Sequence, residues 1–350
     1  MKTLQLLLIG LVFGLSLNAQ DIHFSHIHAS PFNLNPALTG IFEGDMRLIA
    51  NYRNQWRSVT ADYKTMMASA DMKIGGFNKN SIIGFGAHVN ADVAGDLDFT
   101  TQSAFFSASF MQAFDRHRSH ILAGGIQIGR VSSRFDPSKM VTHEEETFFD
   151  SGDRNQISYY DMAAGLLWYK RIRKEQFLYF GASVFHMNNP VVSFFDEEDV
   201  ENILYRRYVV HGGANMALNK WYTLVPNFIF MQQGPHQQMT LGSFVRYSNP
   251  AKIKKANVSI MIGGWLRAFA LEERLSADAV VGALRIDYQN LVLTFTYDVN
   301  ISTLALISYG QGGPEFSLIY LIGSDLSGFK RKKPRDIEKK RKHKIACPVF

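Results

Sequence analysis

A single cysteine, Cys347, stands in a chain of 350 residues. An internal disulfide framework is therefore excluded, and any disulfide must join two chains. No cysteine follows the export-type N-terminus either, which excludes a lipid anchor at that point. Beyond the first residues no apolar run approaches the roughly 20 residues that a membrane-spanning helix needs. No Pro/Gly/Ser-rich linker divides the middle of the chain, which favours one unit over two domains. No local Ser/His/Asp spacing brings a base to a nucleophile, so hydrolase chemistry has no foothold.

What is present begins with Met1-Lys2, a nearly unbroken apolar stretch from Leu4 to Leu17, and Leu-Asn-Ala19 before Gln20. This order predicts a cleavable export signal over residues 1–19 and a mature chain from Gln20. Apolar residues make up 46 %, aromatics 13 % and charged residues 19 %, with a mean hydropathy of −0.08. Such a neutral average suits strands whose lipid-facing and lumen-facing residues cancel.

Near the C-terminal end, Leu291, Leu293, Phe295, Tyr297 and Val299 share one parity, while Val292, Thr294, Thr296 and Asp298 share the other. Side chains alternate across a strand, so this segment has one oily and one mostly polar face. The alternation recurs with Ile83, Phe85 and Val89 against His88, with Ile260, Ile262 and Leu266 against Ser259 and Arg267, with Leu284 and Ile286 against Arg285 and Asp287, and with Phe316, Leu318 and Tyr320 against Glu315 and Ser317. The pattern predicts an all-β, outer-membrane transmembrane β-barrel of about fourteen antiparallel strands, near 45–57, 62–74, 80–91, 97–114, 117–131, 156–170, 175–187, 205–218, 220–231, 236–247, 255–268, 276–286, 290–299 and 313–324.

Junction lengths support the same reading. From a periplasmic N-terminus the even junctions are brief, as at Asp115 to Arg118, Ile172 to Glu175 and Asn219-Lys220, while the odd ones include Ser132 to Asn155, Asn188 to Leu204 and Asn300 to Gly312. Short turns on one side and long loops on the other distinguish an outer-membrane barrel from a soluble sandwich. An even strand number places both termini in the periplasm. Pro226 falls inside a predicted strand and suggests a bulge or a misplaced segment. Trp56, Trp168, Trp221 and Trp265 fall near strand ends, where an interfacial belt would hold them.

Four stretches follow: a signal over 1–19, an N-terminal periplasmic plug or strap over 20–44, a barrel over 45–324 and a basic periplasmic tail over 325–350. The second is turn-rich, with Asn35-Pro36 pushed away from helix, and is expected to seat Pro31 to Gly40 in the periplasmic mouth. The tail carries Lys330, Arg331, Lys332 and Lys333, then Lys339, Lys340, Arg341 and Lys342, and supplies the basic balance of the whole chain. It is expected to bind acidic surfaces through salt-sensitive contacts, and the export signal argues against nucleic acid.

Phe24-Ser25, Asn35-Pro36-Ala37 with Gly40, Arg53-Asn54-Gln55-Trp56, the strand from Phe295 to Asp298, the basic run and the terminal Cys347-Pro348-Val349-Phe350 together resemble the PorP/SprF family. The resemblance implies a non-enzymatic component or accessory of the type IX secretion system of Bacteroidetes. Its partners would be secretion components in the periplasm and outer membrane, a large adhesin-like client of the gliding type outside, and outer-membrane lipid. Cys347, Pro348 and Phe350 could dock in a partner, by a disulfide or by an aromatic ring beside the chain carboxylate.

His23, His26 and His28 could ligate a transition metal, but no Cys or partnered carboxylate completes a site. His143 to Glu146 and Asp196 to Asp199 read as solvated acidic loops rather than cation sites. Neither a cofactor nor a metal is expected. The alternative function is a FadL-like or porin-type transporter, which requires an accessible lumen with organised ligand contacts.

Overall fold

Alternating hydrophobicity closes into a ring. The computed structural model describes residues 24–25, 29–55, 63–75, 77–78, 80–95, 97–115, 117, 119–139, 155–173, 176–194, 203–248, 258–271, 274–302 and 310–323. The strands are β1 (Met46–Gln55), β2 (Tyr63–Gly75), β3 (Ser81–Ala94), β4 (Phe99–Ala113), β5 (His120–Arg134), β6 (Gln156–Arg173), β7 (Gln176–Phe185), β8 (Arg207–Ala217), β9 (Tyr222–Gln233), β10 (His236–Ser248), β11 (Val258–Leu271), β12 (Arg274–Tyr288), β13 (Leu291–Asn300) and β14 (Gln311–Ile322). Each pairs antiparallel with its sequence neighbours, and β14 returns to β1 from Met46↔Ile322 to Arg53↔Glu315. Closure leaves no unpaired edge, which a lipid environment requires.

Burial along each strand is inverted relative to a water-soluble protein. On β13, Leu293, Phe295, Tyr297 and Val299 are exposed, whereas Val292, Thr294, Thr296 and Asp298 are buried. On β14, Phe316, Leu318 and Tyr320 are exposed, whereas Glu315 and Ser317 are buried. Oil outside and polarity inside is the arrangement that a bilayer selects.

Two sequence expectations are corrected here. Pro226 neither bulges nor displaces β9: the β8–β9 ladder passes from Gly213↔Asn227 to Met216↔Leu224 in one register, and Pro226 still opposes Ser243 of β10. The missing N–H interrupts pairing on one side only. Trp265 is no belt residue either. It shares its parity with Arg267, points inward, donates through Nε1 to Asn227 Oδ1 at 2.7 Å and meets Phe244 edge-on at 4.7 Å between centroids. Trp168 is exposed, and Trp221 stacks on the exposed Tyr247 at 6.3 Å, both toward the end of the barrel that carries the short turns.

Ladder irregularities, invisible to strict alternation, occur between Arg267 and Ala268 of β11, between Arg171 and Arg173 of β6 and between Tyr297 and Val299 of β13. Each lies toward a strand end, where bulges commonly re-aim side chains.

Candidate functional site: the occupied lumen

Residues 29–42 lie inside the ring. Pro31–Leu34 forms one helical turn and Pro36–Leu38 one 3-10 turn, each opened by a proline whose fixed φ and missing N–H suit a first helical position. Asn35 between them is extended, and its Oδ1 accepts the Ala37 N–H at 2.9 Å. Its Nδ2 donates to Leu166 O of β6 at 2.9 Å and to Ala182 O of β7 at 3.3 Å, and stands 3.1 Å from His211 Nε2 of β8. The seat exists because the wall is glycine there: a Cβ on Gly165 would fall 2.0 Å from Asn35 Oδ1, and one on Gly125 would fall 2.4 Å from Ala37 N.

Wall side chains also donate to the backbone of this segment. Ser183 Oγ donates to Leu34 O at 2.7 Å, Ser109 Oγ to Thr39 O at 2.6 Å, and Asn51 Nδ2 to Ala29 O at 2.8 Å. Leu34, Ala37, Leu38 and Ile41 join one apolar cluster with Met111, Leu167, Tyr179 and Val209 from the β4–β8 wall. Gly40, at φ 73°, tucks against β3, where a Cβ would come within 2.8 Å of Gly84 Cα. A side chain there would be strained as well as crowded.

Two ionic clusters bracket the segment. Toward the short-turn end, Arg47 meets Asp71 at 2.8 Å, and Asp71 also accepts the Gly40 N–H at 2.8 Å. Toward the long-loop end, Asp298 receives Arg53 at 2.9 Å, Arg267 at 3.0 Å and Ser25 Oγ at 2.7 Å, while the Ser25 N–H donates to Glu315 at 2.7 Å. Buried charges persist only when paired and hydrogen-bonded, as these are. The segment therefore runs most of the barrel's length, from Ser25 near the long-loop half to Gly40 near the short turns, rather than sitting in one mouth. Along the way Phe32 and Phe105 sandwich the His88 ring at 5.1 and 5.0 Å.

The structure brings Asn35, Pro36, Ala37, Gly40 and Arg53 into the lumen, all buried. Asn54 and Gln55 end β1, close against Gly313 of β14. Residues 1–20, His23, His26, His28, Trp56, His143 to Glu146, Asp196 to Asp199 and the tail from Lys330 to Phe350 lie outside the described residues. Among the described residues no group of three or more His, Cys, Asp or Glu gathers as a metal site. Sequence reasoning placed Asp298, Arg267 and Glu315 on polar strand faces without seeing that they converge. Their common signal is a charge on the minority parity of an otherwise oily strand. Asp71 carries the same signal, opposite Met66, Ala68, Ala70 and Met72, whereas the uncharged His211 does not.

A closed ring with an oily exterior and a polar, occupied interior defines an outer-membrane β-barrel. Within that class the chain belongs to the family described as type IX secretion system membrane protein PorP/SprF, whose model matches residues 16–320. It is thus a type IX secretion component of the outer membrane. Among solved structures it is similar to a Pseudomonas aeruginosa FadL homologue, at 10 % identity and a TM-score of 0.48 over 82 % of this chain and 92 % of that one. It is also similar to the TodX deltaS2S3 mutant monoaromatic hydrocarbon channel, at 7 % identity and a TM-score of 0.48 over 81 % and 91 %. No curated protein matches the sequence. At such identities no residue or activity transfers from the solved structures.

Proposed function

We propose that this barrel is a non-enzymatic, non-conducting accessory of type IX export that supports the export or surface retention of an adhesin-like client. The observation that carries this reading is a lumen filled by the chain's own N-terminal segment in a protein of a secretion family. A transporter needs an accessible path with organised ligand contacts. Here Asn51, Asp71, Asp298 and Glu315 of the wall bond instead to Ala29, Gly40 and Ser25 of that segment. Residues 20–44 act as a plug, the long loops face the client outside, and both termini lie in the periplasm. There the tail, through Lys330 to Lys333, Lys339 to Lys342 and Cys347 to Phe350, contacts the secretion machinery.

The test is a quantitative comparison of surface and secreted proteins between a parent strain, a deletion of this gene and a complemented strain. Loss of one large adhesin alone is expected and defines a dedicated accessory. Loss of every type IX cargo assigns the barrel to the core machinery. An unchanged secretome with altered solute uptake would overturn the reading in favour of transport.

A further inference from the structure

Two arginines stand on the lipid-facing side of the barrel where its oily band ends. On β5 the even-numbered side chains point outward, since Ile126 and Ile128 are exposed while Gln127 and Val131 are buried. Arg130 and Arg134 share that outward parity and are exposed. A charge on this face is costly at the bilayer midplane and tolerated near the interface. Cross-strand register fixes the height of each. Phe106, Ile128 and Met162 form one row of exposed apolar groups across β4, β5 and β6. The next row toward the long loops is Ala104, Arg130 and Tyr160, and two rows further comes Arg134 between Thr100 and Gln156. Apolar side chains thus give way to polar ones at Arg130. The exposed Tyr160 ring beside it is of the kind that sits at a membrane–water border.

The wall supplies no counter-ion on this face. β4 and β5 contain no Asp or Glu, and the one acid of β6, Asp161, is buried on the lumenal side, 2.9 Å from His186 Nδ1. At the adjoining strand ends Asp98 is paired with Lys139, and Asp136 accepts Ser138 Oγ at 2.7 Å. Neither Arg130 nor Arg134 makes a hydrogen bond or ion pair among the described residues. The inward arginines Arg47, Arg53 and Arg267 each meet a carboxylate. An exposed guanidinium is a planar fork matched to the oxygens of a phosphate. Four residues of strand separate the two by about 13 Å, so their long side chains can close on one headgroup from two levels.

We infer that the outer face of β4–β6 binds an anionic, phosphate-bearing lipid of the leaflet on the long-loop side. Arg130 and Arg134 hold its headgroup, and Phe106, Ile126 and Ile128 lie along its acyl chains. The occupant is a lipid rather than an acidic protein because Arg130 directly adjoins the apolar row, where the anions within reach are headgroups. The inference concerns the membrane face of the wall and goes beyond the export reading.

The test is native mass spectrometry of the full-length protein in detergent, titrated with diphosphoryl lipid A as the anionic probe and phosphatidylcholine as the zwitterionic comparison. Arg130→Gln and Arg134→Gln are each expected to weaken lipid A retention roughly fivefold, and together about 25-fold, as for cations beside an anionic membrane surface. Phosphatidylcholine retention should not change. Retained heat-modifiable migration on gels establishes that the variants are folded. Lys220→Gln removes an exposed cation at the opposite end of the barrel and is expected to leave lipid A retention as it is. An equal loss from Lys220→Gln would reveal diffuse charge attraction and overturn the site, as would equal retention by wild type and double variant. Displacement of lipid A by inorganic phosphate alone would leave a site for a free oxyanion and overturn the lipid. Arginine-dependent binding of fluorescent poly-L-glutamate that excludes lipid A would give the face to an acidic protein and overturn it equally. The secretion phenotype of a deletion strain decides the export reading and leaves this result untouched.

Discussion

Asn35 connects two turns of the lumenal segment to three strands of the wall, and it is fully buried. Removing a buried hydrogen-bonding group leaves its partners unsatisfied at about 1–3 kcal/mol. Asn35→Ala is therefore expected to loosen the seat by that amount while the strand ring, which does not use the side chain, stays closed. Planar-bilayer recordings should show intermittent openings absent from the wild type, with heat-modifiable migration unchanged. Gly165→Ala attacks the same contact from the wall, since its Cβ would overlap Asn35 Oδ1. The two changes together should fall short of their sum by about 0.5–3 kcal/mol, because each removes what the other strains. Additive behaviour in unfolding titrations would show that Asn35 and Gly165 are not coupled.

At the scale of the strand, parity is the controlling variable. Ile262 of β11 is 66 % exposed on the outer face. Ile262→Arg places a charge in the lipid band and is expected to cost about 2–4 kcal/mol if it lies near the bilayer midplane. Guanidinium unfolding followed by tryptophan fluorescence checks this, with Ile262→Leu as the near-neutral control. In the β4–β5 turn, the Ser119 hydroxyl above all, then the His120 and Ser119 backbone N–H groups, hold the Asp115 carboxyl well below the usual carboxylate range. A depressed folded value means that the stabilisation is complete above the unfolded pKa of about 3.9 and disappears as pH falls through the folded value. Asp115→Asn should thus lower the unfolding midpoint at pH 7, and the difference from wild type should shrink below about pH 4. All fourteen strands were legible in the sequence because lipid enforces a strict two-residue period on the outer face. Parity alone also contained the inward direction of Trp265, which shares its face with Arg267, although proximity to a strand end suggested a belt. The bulges left no trace, since an extra residue alters register without altering composition. The path of the N-terminal segment was equally hidden: its contacts are hydrogen bonds and apolar packing spread over many separate strands, and no periodicity encodes them.

At the scale of the molecule, ring and occupant are separable. The ladders from β1 through β14 close without any contribution from residues 24–41, whereas that segment is held in place by hydrogen bonds and apolar packing to the wall. Each large apolar side chain that it withdraws from water, Phe32, Leu34, Leu38 and Ile41 among them, contributes about 1.5–3 kcal/mol. Deleting residues 24–41 is expected to lower thermal stability while leaving the heat-modifiable barrel. The void it leaves should lie on the β4–β9 side, because the opposite wall is filled by its own cluster of Phe244, Met261, Trp265 and Val281. Stepwise single-channel conductance is therefore expected from the deletion variant and absent from the wild type. Trp265→Ala alone, which enlarges the other side but leaves the segment seated, should stay closed. Were Trp265→Ala to conduct and the deletion not, the seal would belong to the β9–β12 wall, and the N-terminal segment would serve only to brace a barrel already closed by its own side chains.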